Sequence, residues 1–481
     1  MNTAKKKIYS NGATLIYKHR KRKCTSVVAG FAFGSNREYY LEPTAHFCEH
    51  MFFIETENRS KETLKQDMLN TFSMKNGRTN AFYTEIDFCR SNKVLEDCFA
   101  LSSDMLLNTK YEAKYIKSEK GVIKQELVRK LNNPDALSYF TLLRATTSKD
   151  IKNSLVLGNE DEIEAVTAKS LKKFRDETFI SQNFVISIEG GISFLRAKHL
   201  AEKYFIKKLK SNPSYPVDQS ILFKQTREGN LNIENYPFKK SICRIAIKIN
   251  QESESQLTEK SALMFCSICN GINGRLLSAL RENGLVYSAG LGYDTVPTQN
   301  VLHFDFSCST ENVNKVIDET GKCFEEFRTT LVEEELIKQK KKNEKLLKDE
   351  MMSKIYPSNL FTNYLAFGDR IFSKKHRKTD KKIFNSLTPN DVQNFCKMAL
   401  TKPENIYVAI LTDGSEKDFY TYEEMQKILT SKPQKKRQAK KVTKAPTDMQ
   451  STQNKTKQSK QKLGKNKRKL QKQNKQNKSK I

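Results

Sequence analysis

Residues 46–50 read His46-Phe47-Cys48-Glu49-His50, between Pro43-Thr44-Ala45 and Met51-Phe52-Phe53. The chain has only 6 histidines in 481 residues, so two of them framing a glutamate is not a product of composition. On an α-helix His46 and His50 lie one turn and about 40° apart, so both imidazoles reach a single ion. Glu49 falls on the same side, placed to take a proton from a water attacking there. Pro43 and Thr44 suit the start of such a helix.

Two histidines do not make a zinc site. A third protein ligand is needed, with one position left for water. Residues 112–131 read as an amphipathic helix with Tyr115, Ile116, Val122, Ile123 and Leu127 on its apolar face. Glu119 and Glu126 are seven residues apart on it, within about 20° of one stripe. Either could reach a metal, and the other would then support a ligand from behind. Taken alone, two glutamates on a basic helix read as solvated salt-bridge partners. The histidine pair is what gives them chemical interest.

Strand-like and helix-like segments alternate around this centre. Lys7-Ile8-Tyr9 and Ala13-Thr14-Leu15-Ile16-Tyr17 flank Ser10-Asn11-Gly12, which predicts a hairpin almost at Met1. Val27 to Phe33 reads as a strand ending at Gly34-Ser35. Leu64, Met68 and Phe72 recur at helical spacing, with Asn76-Gly77 expected to stop that helix. Ala81 to Phe88 alternates as a strand, with Phe82, Ile86 and Phe88 on one face. Helices are expected near 94–108, 112–131, 134–146 and 165–178, and a strand over Phe184 to Ile188 closed by Gly190-Gly191.

A helix-then-strand pattern recurs. Thr167 and Phe174 are matched by Thr388 and Phe395 at an offset of 221, and Asn183 by Asn405 at 222. That distance suggests two similar domains of roughly 200 residues. The polar, proline-containing stretch from Lys210 to Asn230 reads as a linker. The expected organisation is a first domain over 1–212, a linker over 213–230, a second domain over 231–430 and a tail over 431–481.

The formal charge of +30 is unevenly spread. Residues 431–481 hold 19 Lys+Arg against the single acid Asp448, so +18 lies there and +12 on residues 1–430. The tail has no aromatic residue and cannot bury enough to offset its ordering entropy, so it is expected to be disordered. It reads first as a solvated extension. The functional alternative is a weak electrostatic contact with nucleic acid or an anionic surface. The ten cysteines sit mostly inside apolar periodic segments, as buried free thiols in a reducing compartment do. Cys266-Ser267-Ile268-Cys269 falls in a helical apolar run and reads as two core thiols rather than a redox pair. No run approaches a membrane span, and the N-terminus lacks the apolar stretch of a signal peptide. A cytoplasmic location is the expectation.

The inverted zinc motif resembles that of the pitrilysin/insulinase family, which includes the processing-peptidase subunits and short bacterial zinc proteases. Surrounding segments share the pattern. Phe33-Gly34-Ser35-Asn36-Arg37-Glu38 is similar to the entry before the zinc helix, and Met51-Phe52-Phe53 to the continuation after it. Asn76-Gly77, Asn80-Ala81 and Thr84 resemble the strand that pairs with substrate. Glu119 to Glu126 resembles the downstream carboxylate helix, with 75 residues between His50 and Glu126. Leu280-Arg281-Glu282 and Gly284-Leu285-Val286-Tyr287-Ser288 resemble the family's Arg/Tyr segment, one residue shorter than its usual spacing. Pro43-Thr44-Ala45 replaces the usual glycine-containing approach to the first histidine.

The resemblance covers about residues 1–430. It implies an α+β fold of two homologous domains, each a mostly antiparallel sheet packed with helices, followed by the disordered basic tail. It implies one zinc ion per chain, held by His46, His50 and Glu126, with Glu119 behind them. It implies a zinc-dependent endopeptidase acting on peptides in an enclosed chamber, with Glu49 as general base. Arg281 and Tyr287 would assist at the oxyanion, and Asn80 and Ala81 would bind substrate. The family surrounds its chamber with four such domains. A two-domain chain is therefore expected to form a homodimer or to pair with a related subunit. The rival reading is a catalytically silent subunit or scaffold of such a complex.

Overall fold

Strand alternation and one repeated connection plan build two mixed sheets. The computed structural model describes residues 4–35, 43–72, 74–80, 82–146, 156–212, 229–237, 239–249, 255–270, 273–296, 299–330, 333–348, 360–367, 374–415 and 418–430. The first sheet holds β1 (Lys5–Ile8), β2 (Thr14–His19), β3 (Cys24–Phe31), β4 (Met74–Thr79), β5 (Thr84–Ser91) and β6 (Phe184–Gly190). Its order is β1-β2-β6-β3-β5-β4. The second holds β7 (Leu231–Asn235), β8 (Ser241–Ile249), β9 (Ser288–Val296), β10 (Gln299–Cys308) and β11 (Ile406–Thr412), in the order β7-β11-β8-β10-β9. With β1 set aside, the two orders match strand for strand. In each sheet one pair is parallel, β2 with β6 and β7 with β11, and the other neighbours are antiparallel.

Between the strands of the first half run α1 (Thr44–Met51), α2 (Lys61–Thr71), α3 (Leu95–Leu107), α4 (Ala113–Leu131), α5 (Pro134–Thr146), α6 (Glu160–Ala165), α7 (Ala168–Thr178) and α8 (Phe194–Ala201). The second half adds α9 (Gln256–Cys269), α10 (Arg275–Glu282), α11 (Val313–Thr329), α12 (Glu333–Lys348), α13 (Leu360–Phe367), α14 (Lys374–Ser386), α15 (Pro389–Ala399) and α16 (Tyr422–Thr430). The repeated sequence pattern is α7 leading to β6 and α15 leading to β11. Both helices open on a capping box, Thr167 with Ser170 and Thr388 with Asp391, which satisfies two otherwise orphaned N–H groups.

β6 and β11 are buried along their whole length. A strand covered on both faces reads as a near-continuous apolar run, as β11 does; β6 interrupts its run with buried Ser187 and Glu189, and Glu189 pairs with Arg20. Phe184, Ile186 and Ile188 join one core with Phe47, Phe99 and Phe174, while Val185 on the opposite face meets Leu360 and Phe361 of α13. Ile406, Val408 and Ile410 join the second core, while Tyr407 and Ala409 meet Leu142 of α5. Each half thus lends a helix to the back of the other's sheet. Arg244 Nε donates to Ser138 Oγ at 2.8 Å, and Asn230 Nδ2 to the Ala145 carbonyl at 2.8 Å, fixing α5 to the second sheet. Residues Met1–Pro433 accordingly pack as one unit across the expected boundary.

Two local expectations change. Asn76-Gly77 does not stop a helix. α2 already ends at Thr71, and Asn76 and Gly77 lie inside β4, paired with Asp87 and Ile86. Val122 is not on the buried face of α4, which is formed by Ile116, Glu119, Ile123 and Leu127. The tail 431–481, most of the linker and residues 36–38 lie outside the described residues. All ten cysteines are free and eight are buried, Cys266 and Cys269 among them in α9.

Candidate active site

α1 begins directly after its N-cap residue, Pro43. Its Phe47, Cys48 and Met51 sink into the first core, which locks the helix rotation. Tyr111 Oη donates to Cys48 Sγ from behind at 3.6 Å. That rotation turns His46, Glu49 and His50 toward α4 and β4.

The helical spacing now closes on the third group. Glu126 Oε2 lies 3.6 Å from His46 Nε2 and 3.6 Å from His50 Nε2. Those separations are too long for hydrogen bonds. They suit ligands of one ion, since two atoms each about 2.0–2.1 Å from a tetrahedral zinc lie roughly 3.3–3.4 Å apart. One donor atom from each of His46, His50 and Glu126 falls within 4.8 Å of the others, the one such group of three or more His, Cys, Asp or Glu among the described residues. The set of two imidazoles and one carboxylate fits zinc and leaves a coordination position free.

Glu119 takes the other side of His50. Its Oε2 accepts from His50 Nδ1 at 3.1 Å. This fixes the imidazole so that Nε2 faces Glu126, the usual arrangement behind a metal-binding histidine. The seven-residue spacing had left both glutamates open. The tilt of α4 against α1 separates them, one to each nitrogen of the same ring. Lys130 lies 3.6 Å from Glu126 Oε1, one turn along α4. It was not anticipated, although its i+4 spacing from Glu126 was a signal.

The charges are divided between the histidines. Burial, reinforced by His50, holds His46 down to about 3. Burial opposes protonation of His50 too, but its hydrogen bond to Glu119 and the facing Glu126 and Glu49 carboxylates outweigh it and raise the group to about 9. The facing imidazoles of His50 and His46 hold Glu126 down to about 2. Burial pushes Glu49 up to about 7. Metal-free His50 therefore carries a proton at pH 7, and an incoming ion must displace it. Below the raised pKa, metal affinity is expected to climb about tenfold per pH unit, with about one proton released per ion. Calorimetry of zinc binding in buffers of different ionisation enthalpy reads that release directly. Binding without proton release would contradict this division of charge.

Glu49 Oε2 lies 3.9 Å from His46 Nε2 and accepts from Thr79 Oγ1 at 3.4 Å. Thr79 was not singled out by the sequence reading, although the resemblance had run the substrate-pairing strand from Asn76-Gly77 to Thr84. The edge of the sheet is β4, residues 74–79. Asn80 follows it in the turn to β5, where its Oδ1 accepts from the N–H groups of Phe82 and Tyr83 at 2.7 and 3.0 Å. Ala81 lies outside the described residues. Arg281 lies in the last turn of α10, and its guanidinium lies 5.9 Å from the Tyr287 ring centroid. Tyr287 is 87% exposed, and the polar contacts of the His46–His50–Glu126 group do not include either residue.

Two family models match this chain. "Insulinase (Peptidase family M16)" covers residues 14–158, with the whole histidine–glutamate cluster, and "Peptidase M16 inactive domain" covers residues 165–344. The chain belongs to the pitrilysin/insulinase family. A probable mitochondrial-processing peptidase subunit beta of Schizosaccharomyces pombe is 28% identical over 197 residues, 40% of this chain and 43% of that protein. An uncharacterized zinc protease of Bacillus subtilis is 28% identical over 165 residues, 34% of this chain and 39% of that protein. The chain spans about half or less of the length of these curated relatives. A crystal structure of a peptidase M16 inactive domain from Pseudomonas fluorescens superimposes with a TM-score of 0.73 at 14% identity, covering 86% of this chain and all of that one. A protease from Helicobacter pylori superimposes with a TM-score of 0.71 at 16% identity, covering 85% of this chain and all of that one. These likenesses match the α+β architecture of two similar halves. No helix among the described residues is long and apolar enough to cross a membrane.

Proposed function

We propose that the chain is a zinc-dependent endopeptidase acting on peptides or short unfolded polypeptides. The observation that carries this is Glu126 Oε2 at 3.6 Å from both His Nε2 atoms, with the Glu49 carboxylate alongside and the open edge of β4 next to it. One zinc ion per chain, held by His46, His50 and Glu126, would supply Lewis-acid polarisation and lower the pKa of water toward about 7.

The chain's own groups do the rest. Glu49 takes the proton of the attacking water and returns it to the leaving amine. Burial raises its pKa to about 7 in the metal-free site, away from an ordinary carboxylate and toward a group that can both take and return a proton. Glu119 keeps His50 in the tautomer that presents Nε2. An extended substrate adds to β4 as a further strand, so main-chain hydrogen bonds hold it and sequence preference is loose. Asn80 and Ala81 lie at the end of that edge. Arg281 and Tyr287 act on the oxyanion from a second copy or a related subunit, for which the exposure of Tyr287 leaves room. The silent-scaffold reading is disfavoured because the two histidines, the third ligand and the base are all present. Weak contact of residues 431–481 with nucleic acid or an anionic surface stays a separate proposal, as does the cytoplasmic location.

The test is cleavage of an extended fluorogenic peptide by the purified chain. Hydrolysis is expected, with loss on chelation and recovery on adding zinc. Cleavage that is indifferent to chelator, or no cleavage by the zinc-loaded chain either alone or with a related subunit, would overturn the reading.

A further inference from the structure

Glu49 does not hang free in the cleft. Its carboxylate lies along the backbone of β4, with Oε2 toward Thr79 and Oε1 over Gly77. A Cβ at position 77 would run into Glu49 Oε1, and it would stand 3.0 Å from Glu49 Cδ and 2.8 Å from Phe53 Cε2. Positions 77 and 79 share one face of the strand, since side chains alternate.

The backbone itself does not call for glycine at 77. The residue sits in unbroken antiparallel register opposite Ile86, and it is not among the glycines with positive φ. A strand-interior glycine weakens its strand and commonly marks a close approach by another group. Here the group that approaches is the Glu49 carboxylate.

We propose that Gly77 and Thr79 are positioning residues that form a seat for the Glu49 carboxylate on β4. The bare Cα of Gly77 lets the carboxylate lie flat, and the Thr79 hydroxyl sets its rotation. The edge strand then has two tasks: it offers backbone to a substrate strand and it aims the base. This rests on the reading of Glu49 as the general base.

A methyl group at 77 meets two side chains, the Glu49 carboxylate and the edge of the Phe53 ring, both of which can give way. The far end of the Glu49 side chain can swing away, whereas the strand register cannot shift without breaking its pairing with β5. Gly77→Ala should therefore lift the carboxylate off β4 and leave the fold and the ligands on α1 and α4 in place. Misplacement of a reacting group by about 1 Å can cost about 10²-fold. The expected result for Gly77→Ala is a kcat lowered by about one to two orders of magnitude, KM within about threefold, and zinc affinity and Tm unchanged. Thr79→Val should lower kcat by about tenfold, and Thr79→Ser should restore it. A crystal structure of zinc-loaded Gly77→Ala reads the seat whether or not the parent chain hydrolyses peptides. A carboxylate displaced from β4 supports the proposal. A carboxylate still in place, a parent-level kcat in an active enzyme, or a loss of kcat that tracks loss of zinc would overturn it.

Discussion

Glu49→Gln is expected to keep its zinc and lose hydrolysis, with kcat falling by about 10³-fold. Glutamine has nearly the same volume and can keep an oxygen toward Thr79, so packing in α1 is undisturbed. The oxygen that faces Thr79 and lies 3.9 Å from His46 Nε2 stays, but its carboxylate basicity is lost. An amide cannot accept a proton and hand it on. Zinc content, measured by elemental analysis of the dialysed protein, should match the parent, because Glu49 is not in the His46–His50–Glu126 set. Cleavage of a fluorogenic peptide gives the rate. A parent-level rate in this variant would remove Glu49 from the chemistry.

His50→Ala should behave in the opposite order, losing the metal first and activity as a consequence. His50 touches both carboxylates of α4, Glu119 through Nδ1 at 3.1 Å and Glu126 across 3.6 Å from Nε2. Removing it deletes one ligand and frees the carboxylate that held that ligand in place. Second-sphere losses alone cost about 10–100-fold in metal affinity, so loss of a ligand should exceed that range. Dialysed protein is expected to retain less than about a tenth of an ion per chain, with far-UV circular dichroism unchanged. The fold survives because His50 lies at the partly exposed end of a helix whose core contacts are Phe47, Cys48 and Met51.

Much of this site was legible because its determinants are local. One helical turn sets His46 and His50 on one face, and Glu49 follows from the same geometry. Which glutamate joins the two histidines was not decidable by spacing. Glu119 and Glu126 share a stripe of α4, and only the packing of α4 across α1 sends one to Nδ1 of His50 and the other to the two Nε2 atoms. The resemblance to the family had favoured the same division. Asn76-Gly77 misled for a similar reason. It is a local turn signal, but pairing with Asp87 and Ile86, a non-local event, makes it strand. Thr79 was not singled out.

The fold shows the same limit at larger scale. The repeat offset of 221 residues captured α7 and α15, whose capping boxes and buried faces are written in adjacent residues. It did not reveal that α5 and α13 cross to the opposite sheets. An amphipathic pattern states that a face is buried, not what buries it. The net charge was the least informative clue, since +18 of the +30 lies beyond residue 430.

The most direct test of the central claim is X-ray absorption at the zinc edge of the metal-loaded protein. The chain carries ten free thiols, eight of them buried, and thiolate is a strong zinc ligand, so a sulfur donor set is the alternative to test. Two imidazoles and oxygen donors at about 2.0–2.1 Å, without sulfur, are the predicted first shell. A sulfur shell at about 2.3 Å would place the ion on cysteine and contradict the account.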